Sequence, residues 1–196
     1  MHLICVTKQA SIEQMEEALA AGATVFGENR VQDALKKYEI IGDKVKWNLI
    51  GHLQTNKAKD AVKMFSLIHS VDSLHLAEEI DKQAAKINKT QDILIQVSTS
   101  GEESKFGIRP EEVDDLLKKL LAYRHISIKG FMTIAPEVDD PEAVRPYFRA
   151  LRELRDRVNQ SFNTQYRVLS MGMTNDFEIA IEEGSTMVRV GRAIFT

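Results

Sequence analysis

Lys8 closes the run Leu3-Ile4-Cys5-Val6-Thr7-Lys8, which reads as a buried strand with an amine at its mouth. A primary amine is the side chain that condenses with a carbonyl, and burial would favour the neutral form that attacks. Residues 11–22 follow with helical spacing. Lys8 therefore stands at the carboxyl end of a first βα unit, where parallel α/β folds gather function. Taken alone, a lysine leaving a sheet for solvent explains the same letters. Two more stretches share that placement. Ser170-Met171-Gly172-Met173-Thr174 runs into Asn175-Asp176-Phe177-Glu178, and Asn175 with Glu178 has capping-box spacing for a helix start. Gly191-Arg192 ends the last apolar run. Small-residue loops after the last two strands of a barrel admit a phosphate, although ordinary helix capping also accounts for the first of them. Arg189 alternates with Val188 and Val190, so it shares a face with Met187 and Gly191. If the valines meet helices, Arg189 points into the barrel and needs an acceptor there.

The elements that must position these groups alternate from end to end. Apolar, β-branched runs lie at residues 3–7, 24–27, 47–51, 67–71, 93–98, 126–134, 167–171 and 187–194. Helical patterns fill the gaps at 12–21, 30–38, 57–64, 73–87, 111–121, 141–158 and 176–183. Regular alternation of this kind predicts a parallel sheet covered by helices, and eight strands is the number that closes a (β/α)8 TIM barrel. An open doubly wound sheet is the other arrangement, but no G-x-G-x-x-G fingerprint is present. No Pro/Gly-rich linker divides residues 1–196, so the expectation is one domain with room for a substantial core.

A net charge of −3 gives no general attraction to nucleic acid or anionic membrane. Lys57, Lys59 and Lys63 read as a solvated helix face. One cysteine, Cys5, excludes an internal disulfide and sits where a small buried hydrophobe is expected. No apolar stretch is long enough to span a bilayer, no signal-peptide pattern opens the chain, and no His/Cys/Asp cluster has metal-ligand spacing. A cytoplasmic protein is expected.

One small molecule would satisfy the three groups together: an aldehyde for Lys8, a phosphate for Ser170 and Gly191, and a ring-nitrogen acceptor for Arg189. Pyridoxal 5′-phosphate has all three. Composition and periodicity show only that a compatible set exists, and a phosphosugar enzyme using Lys8 as an ordinary Schiff-base lysine would need a similar one.

The chain also resembles the pyridoxal phosphate homeostasis proteins, whose barrel is similar to the N-terminal domain of alanine racemase, the type III fold of pyridoxal phosphate proteins. The matching stretches are Val6-Thr7-Lys8, Phe26-Gly27-Glu28-Asn29, Ile50-Gly51-His52-Leu53-Gln54 with Asn56-Lys57, and Ser104-Lys105-Phe106-Gly107. They continue with Gly130-Phe131-Met132, Leu169-Ser170-Met171-Gly172-Met173 with Asp176-Phe177-Glu178, and the run from Gly184 to Phe195. The resemblance implies that Lys8 is the Schiff-base lysine and that Arg189 partners the pyridine nitrogen. Ser170 and the Gly191-Arg192 backbone would hold the phosphate, with Asn29 close to the ring. An arginine at that nitrogen donates a hydrogen bond without leaving a proton on the ring, which makes the cofactor a poorer electron sink. His52 and His69 are expected to be structural, Glu28 to make a structural hydrogen bond, and Asp72 and Glu178 to cap helices. Ser104-Lys105-Phe106-Gly107 would be site-adjacent.

Members of that family usually carry a helix before the lysine strand and continue past the last one. This sequence starts almost inside the lysine strand and stops at Thr196. A barrel without that N-terminal helix is therefore expected: either the reading frame is shortened, or the seam beside Lys8 is covered by another subunit or a rearranged loop. Arg192 stands where many relatives have a small hydroxyl residue; a backbone contact survives that change, and the guanidinium adds a charge. The function implied is storage, delivery or buffering of the cofactor without robust catalysis, through transient contact with client enzymes, by a monomer or weak dimer. The alternative is a small amino-acid racemase in which Lys8 carries the proton.

Overall fold

Eight short strands, each apolar on the side that meets helices, close into a parallel barrel in a computed structural model that describes residues 1–101 and 106–195. The strands are β1 (His2–Val6), β2 (Val25–Glu28), β3 (Lys46–Leu49), β4 (Leu67–Val71), β5 (Gln91–Gln96), β6 (Ile126–Met132), β7 (Val168–Ser170) and β8 (Met187–Val190). The helices are α1 (Ile12–Ala20), α2 (Val31–Ile41), α3 (Ala58–Met64), α4 (Leu74–Lys86), α5 (Val113–Leu120), α6 (Arg145–Phe162), α7 (Phe177–Glu182) and α8 (Arg192–Phe195). Closure is made by β1 against β8, with Ile4 opposite Arg189 and Cys5 opposite Val190. That register brings the ends carrying Lys8 and Gly191 side by side.

Period-2 alternation sorts the strand residues as expected. Cys5, Phe26, Trp47, Ile68, Ile93, Phe131 and Leu169 pack outward against the helices in the main core. Inside the barrel, Leu67, Leu94 and Met132 form a small apolar plug with Val168 and Met187. Two residues further along their strands from Leu67, Val168 and Met187 come His69, Ser170 and Arg189, so the interior turns polar toward its carboxyl end. The helices earn their places by amphipathicity: α5 buries Val113, Leu116, Leu117 and Leu120, the i, i+3, i+4, i+7 stripe that covers a sheet.

Four details differ from the sequence reading. The run 187–194 is not all strand: β8 stops at Val190, and the Gly191 carbonyl accepts from the Ile194 and Phe195 N–H groups to start a helical turn. The segment 141–158 begins as a 3₁₀ turn at Pro141–Val144, and its α-helix continues to Phe162. The Asn175/Glu178 capping box does not form; the Asp176 carboxylate instead accepts from the Met173 N–H, and α7 starts at Phe177. Ser73, not Asp72, caps α4, its hydroxyl accepting from Leu76 N–H. Ser104 and Lys105 lie outside the described residues.

A charged staple locks α6 to the turn before β8. The buried Glu183 carboxylate receives Arg149 at 2.9 Å, Arg152 at 3.0 Å and Arg145 at 3.3 Å. Those arginines recur at i, i+4 and i+7 on one helix face, the spacing that lets one carboxylate meet all three. The staple anchors the chain immediately ahead of the strand that carries Arg189.

Candidate functional site

The carboxyl ends of the strands surround a pocket of about 680 Å³, inside the range of small-molecule sites. Lys8, Asn29, Thr174, Arg189, Gly191 and Arg192 all line it. Of the six residues proposed from sequence, five therefore meet at one cavity. Ser170 does not line it: it is fully buried below.

Lys8 is exposed, so the protein does not supply the desolvation expected of a buried strand end. What it does fix is the root of the side chain. Thr7 N–H donates to Gly27 O at 3.0 Å, and Thr7 Oγ1 donates to Glu28 Oε1 at 2.6 Å. Lys37 of α2 reaches in behind, donating to Glu28 Oε1 at 2.7 Å and to the Thr7 carbonyl. Glu28 thus makes the structural hydrogen bonds anticipated for it. It ties the residue before Lys8 to β2 and α2.

Arg189 is the floor of the pocket. Nη1 donates to Ser170 Oγ at 2.7 Å and Nη2 to the Thr133 carbonyl at 2.9 Å, which leaves the remaining guanidinium N–H groups for the pocket it lines. Burial pulls its pKa down to about 10, against the opposing pull of the Asp176 charge. It remains a cationic donor at neutral pH. Behind it, Ser170 Oγ lies 2.9 Å from His69 Nδ1, and His69 Nε2 lies 3.1 Å from Asn48 Nδ2.

Two glycines shape the mouth of the pocket beside Thr174 and Arg192. Gly172 has φ +95°, and a Cβ there would come within 2.6 Å of Ala180 Cβ, so only glycine lets the loop lie against α7. That turn presents Thr174 to the cavity. A Cβ on Gly191 would sit 3.1 Å from the Val6 carbonyl, so its absence keeps the seam between β8 and β1 close. Thr174 lines the cavity, whereas Ser170, the hydroxyl to which the sequence points, is fully buried. Ser170 is still in β7, where alternation turns it inward and down, whereas Thr174 lies in the loop beyond the strand end.

On another wall, His52 stacks on Phe106 with ring centroids 3.8 Å apart and planes 13° apart. Its Nδ1 is 3.8 Å from Asp72 Oδ2, and burial raises the Asp72 pKa while His52 opposes that rise. Asp72 therefore faces His52 and caps no helix. Among the described residues no group of three or more His, Cys, Asp or Glu side chains could hold a metal, and no helix is long and apolar enough to cross a membrane.

Comparison with known proteins places this geometry. The family model for the alanine racemase N-terminal domain matches residues 1–196. The pyridoxal phosphate homeostasis protein of Aquifex aeolicus is 47% identical over 194 residues, covering 98% of this chain and 85% of its own. The structure of PipY from Synechococcus elongatus with PLP bound superimposes with TM-score 0.93 at 35% identity, over 100% of this chain and 92% of that one. An alanine racemase from Clostridium difficile shares the fold at TM-score 0.83, with 14% identity over 97% of this chain and 51% of its own. The barrel, the site-bearing strand ends and these near-full-length identities agree, and the chain belongs to the pyridoxal phosphate homeostasis protein family.

Proposed function

We propose that this chain binds pyridoxal 5′-phosphate at Lys8 and serves to store, deliver or buffer it, without robust catalysis of its own. The observation that carries this reading is the convergence on one cavity of an amine from the end of β1 and a buried guanidinium from β8, its neighbour in the closed barrel. The donor set fits the cofactor. There is an amine for its aldehyde, a fixed cationic donor for its ring nitrogen, and a glycine-shaped mouth with the Thr174 hydroxyl for its phosphate. PipY, which carries PLP in its solved structure, supports the same reading.

Bound there, the cofactor supplies an aldehyde that condenses reversibly with primary amines. Lys8 presents the amine from an open position that incoming amines also reach. Thr7, Glu28 and Lys37 keep its root in place. Arg189 donates to the ring nitrogen and keeps its own proton, so the ring stays a weak electron sink. Gly191 and Arg192 hold the phosphate through their backbone, Thr174 through its hydroxyl, and Asn29 lies near the ring. Residues 1–196 act as one binding unit in this reading, as a monomer or weak dimer, and the recipients are cofactor-dependent enzymes met transiently.

The test is transfer. Protein loaded with the cofactor and freed of excess is mixed with an apo-aminotransferase while a phosphatase destroys free cofactor. Wild type should restore activity and Lys8→Ala treated identically should not. Failure of wild type to retain cofactor through gel filtration would overturn the reading.

A second reading, a small amino-acid racemase, is favoured by one observation: His52, with Asp72 beside it, lines the same pocket as Lys8 and offers a second proton carrier. Its test is conversion of L-alanine to D-alanine by loaded protein above free cofactor, with His52→Gln abolishing the excess.

A further inference from the structure

From the pocket floor downward, four polar side chains form one line through the middle of the barrel: Arg189 from β8, Ser170 from β7, His69 from β4 and Asn48 from β3. Each is buried, His69 and Ser170 completely. The contacts are 3.1 Å from Asn48 Nδ2 to His69 Nε2, 2.9 Å from His69 Nδ1 to Ser170 Oγ, and 2.7 Å for the bond that Arg189 Nη1 donates to Ser170 Oγ. Nothing in barrel packing requires such a line, because the layer directly beneath is closed by Leu67, Leu94 and Met132. Apolar residues would fill the same space without the desolvation cost of four polar groups.

The line has a direction. Arginine only donates, so Ser170 Oγ must accept from Arg189. A neutral imidazole carries one donor and one acceptor, and here both nitrogens face partners, so Asn48 and Ser170 together select its tautomer. Burial and the nearby Arg189 charge hold His69 well below its ordinary pKa; it therefore braces the guanidinium without repelling it. A guanidinium held at Ser170 Oγ and at the Thr133 carbonyl meets the cavity it lines in one position. Such a donor rewards a ring atom with a lone pair and penalises a cationic one.

Resting on the function proposed above, we propose that His69, set by Asn48 and acting through Ser170, is a positioning residue that aims Arg189 so that the pocket selects ligands with an unprotonated ring nitrogen. The residue specifies which ring is accepted, while Lys8 captures the aldehyde.

The test compares binding of pyridoxal 5′-phosphate and its N1-methylated derivative to wild type, His69→Leu and His69→Asn, by absorbance titration with borohydride trapping at Lys8. Wild type should prefer the unmethylated compound by about tenfold or more, the scale of one buried hydrogen bond to a charged group. His69→Leu should bring the ratio toward one while trapping at Lys8 continues. His69→Asn, which keeps a polar atom where Nδ1 stood, should recover most of the preference. A merely structural histidine would weaken both ligands equally, and an unchanged ratio in His69→Leu overturns the proposal. Should His69→Leu fail to fold, Asn48→Ala carries the same expectation at smaller amplitude, and an unchanged ratio there is equally fatal. Wild type that traps neither compound at Lys8 defeats the proposed function itself, and this inference with it; trapping with a flat ratio defeats this inference alone.

Discussion

Arg189 Nη1 donates to Ser170 Oγ across 2.7 Å, joining β8 to β7 beneath the cavity. The hydroxyl that the sequence marked for the phosphate is thus engaged with the guanidinium, while Thr174 lines the mouth.

This separates two variants. Ser170→Ala should weaken pyridoxal 5′-phosphate by about fivefold, on the order of 1 kcal/mol for a lost buried hydrogen bond. It should leave the ratio of affinities for the phosphorylated and unphosphorylated forms as in wild type. Thr174→Val should instead reduce that ratio. Titration of both compounds against both proteins decides it; a ratio that falls in Ser170→Ala would put the serine on the phosphate.

The Glu28–Lys37 pair, at 2.7 Å with the carboxylate buried and the lysine only slightly exposed, should matter for stability and for Lys8 together. Lys37→Met leaves Glu28 buried with only Thr7 as partner, which should cost about 3 kcal/mol. Urea unfolding measures this. Borohydride trapping at Lys8 should slow in the same variant, because the carbonyl of Thr7 loses its tether.

Acid should loosen the barrel through Glu183. Hydrogen bonds from Arg149 lead in holding its pKa below the ordinary glutamate value. A carboxylate depressed in the folded state stabilises above its unfolded pKa, about 4.3, and that contribution fades as pH falls toward the folded value. The urea midpoint of wild type should drop between about pH 5 and pH 3. Glu183→Gln should start lower and show a shallower decline; an identical slope would remove Glu183 from the account of acid sensitivity.

Cys5 lies one strand position from the face that leads to Lys8, packed outward, with burial raising its thiol pKa. Thiol reagents should therefore react slowly, at a rate set by opening of β1. Loading with cofactor should slow the reaction further by tying β1 to β8. Labelling as fast as a free thiol would show that the β1–β8 seam stands open.

Much of this was legible because period 2 and period 3.6 are written into the residues. Arg189 between Val188 and Val190 could only be interior once the valines met helices, and eight apolar runs separated by helical patterns left a closed barrel as the natural arrangement. Two kinds of feature were not legible. Depth along a strand decided that Ser170 sits under the pocket and Thr174 in it, and alternation gives side but not height. Partnership across the barrel decided His69: its contacts with Asn48, 21 residues away, and Ser170, 101 residues away, exist only after closure. The turn at Arg192–Phe195 was hidden for a related reason, since a short apolar run suits strand or helix until its hydrogen-bond partners are known.

We propose Lys8 as the amine that captures the cofactor. The direct measurement is borohydride reduction of protein mixed with pyridoxal 5′-phosphate, followed by peptide mass spectrometry of wild type and Lys8→Ala. One phosphopyridoxyl group on Lys8 in wild type, and none at any residue of the pocket in the variant, is the expected result. A label spread over exposed lysines, equal in both proteins, would contradict it.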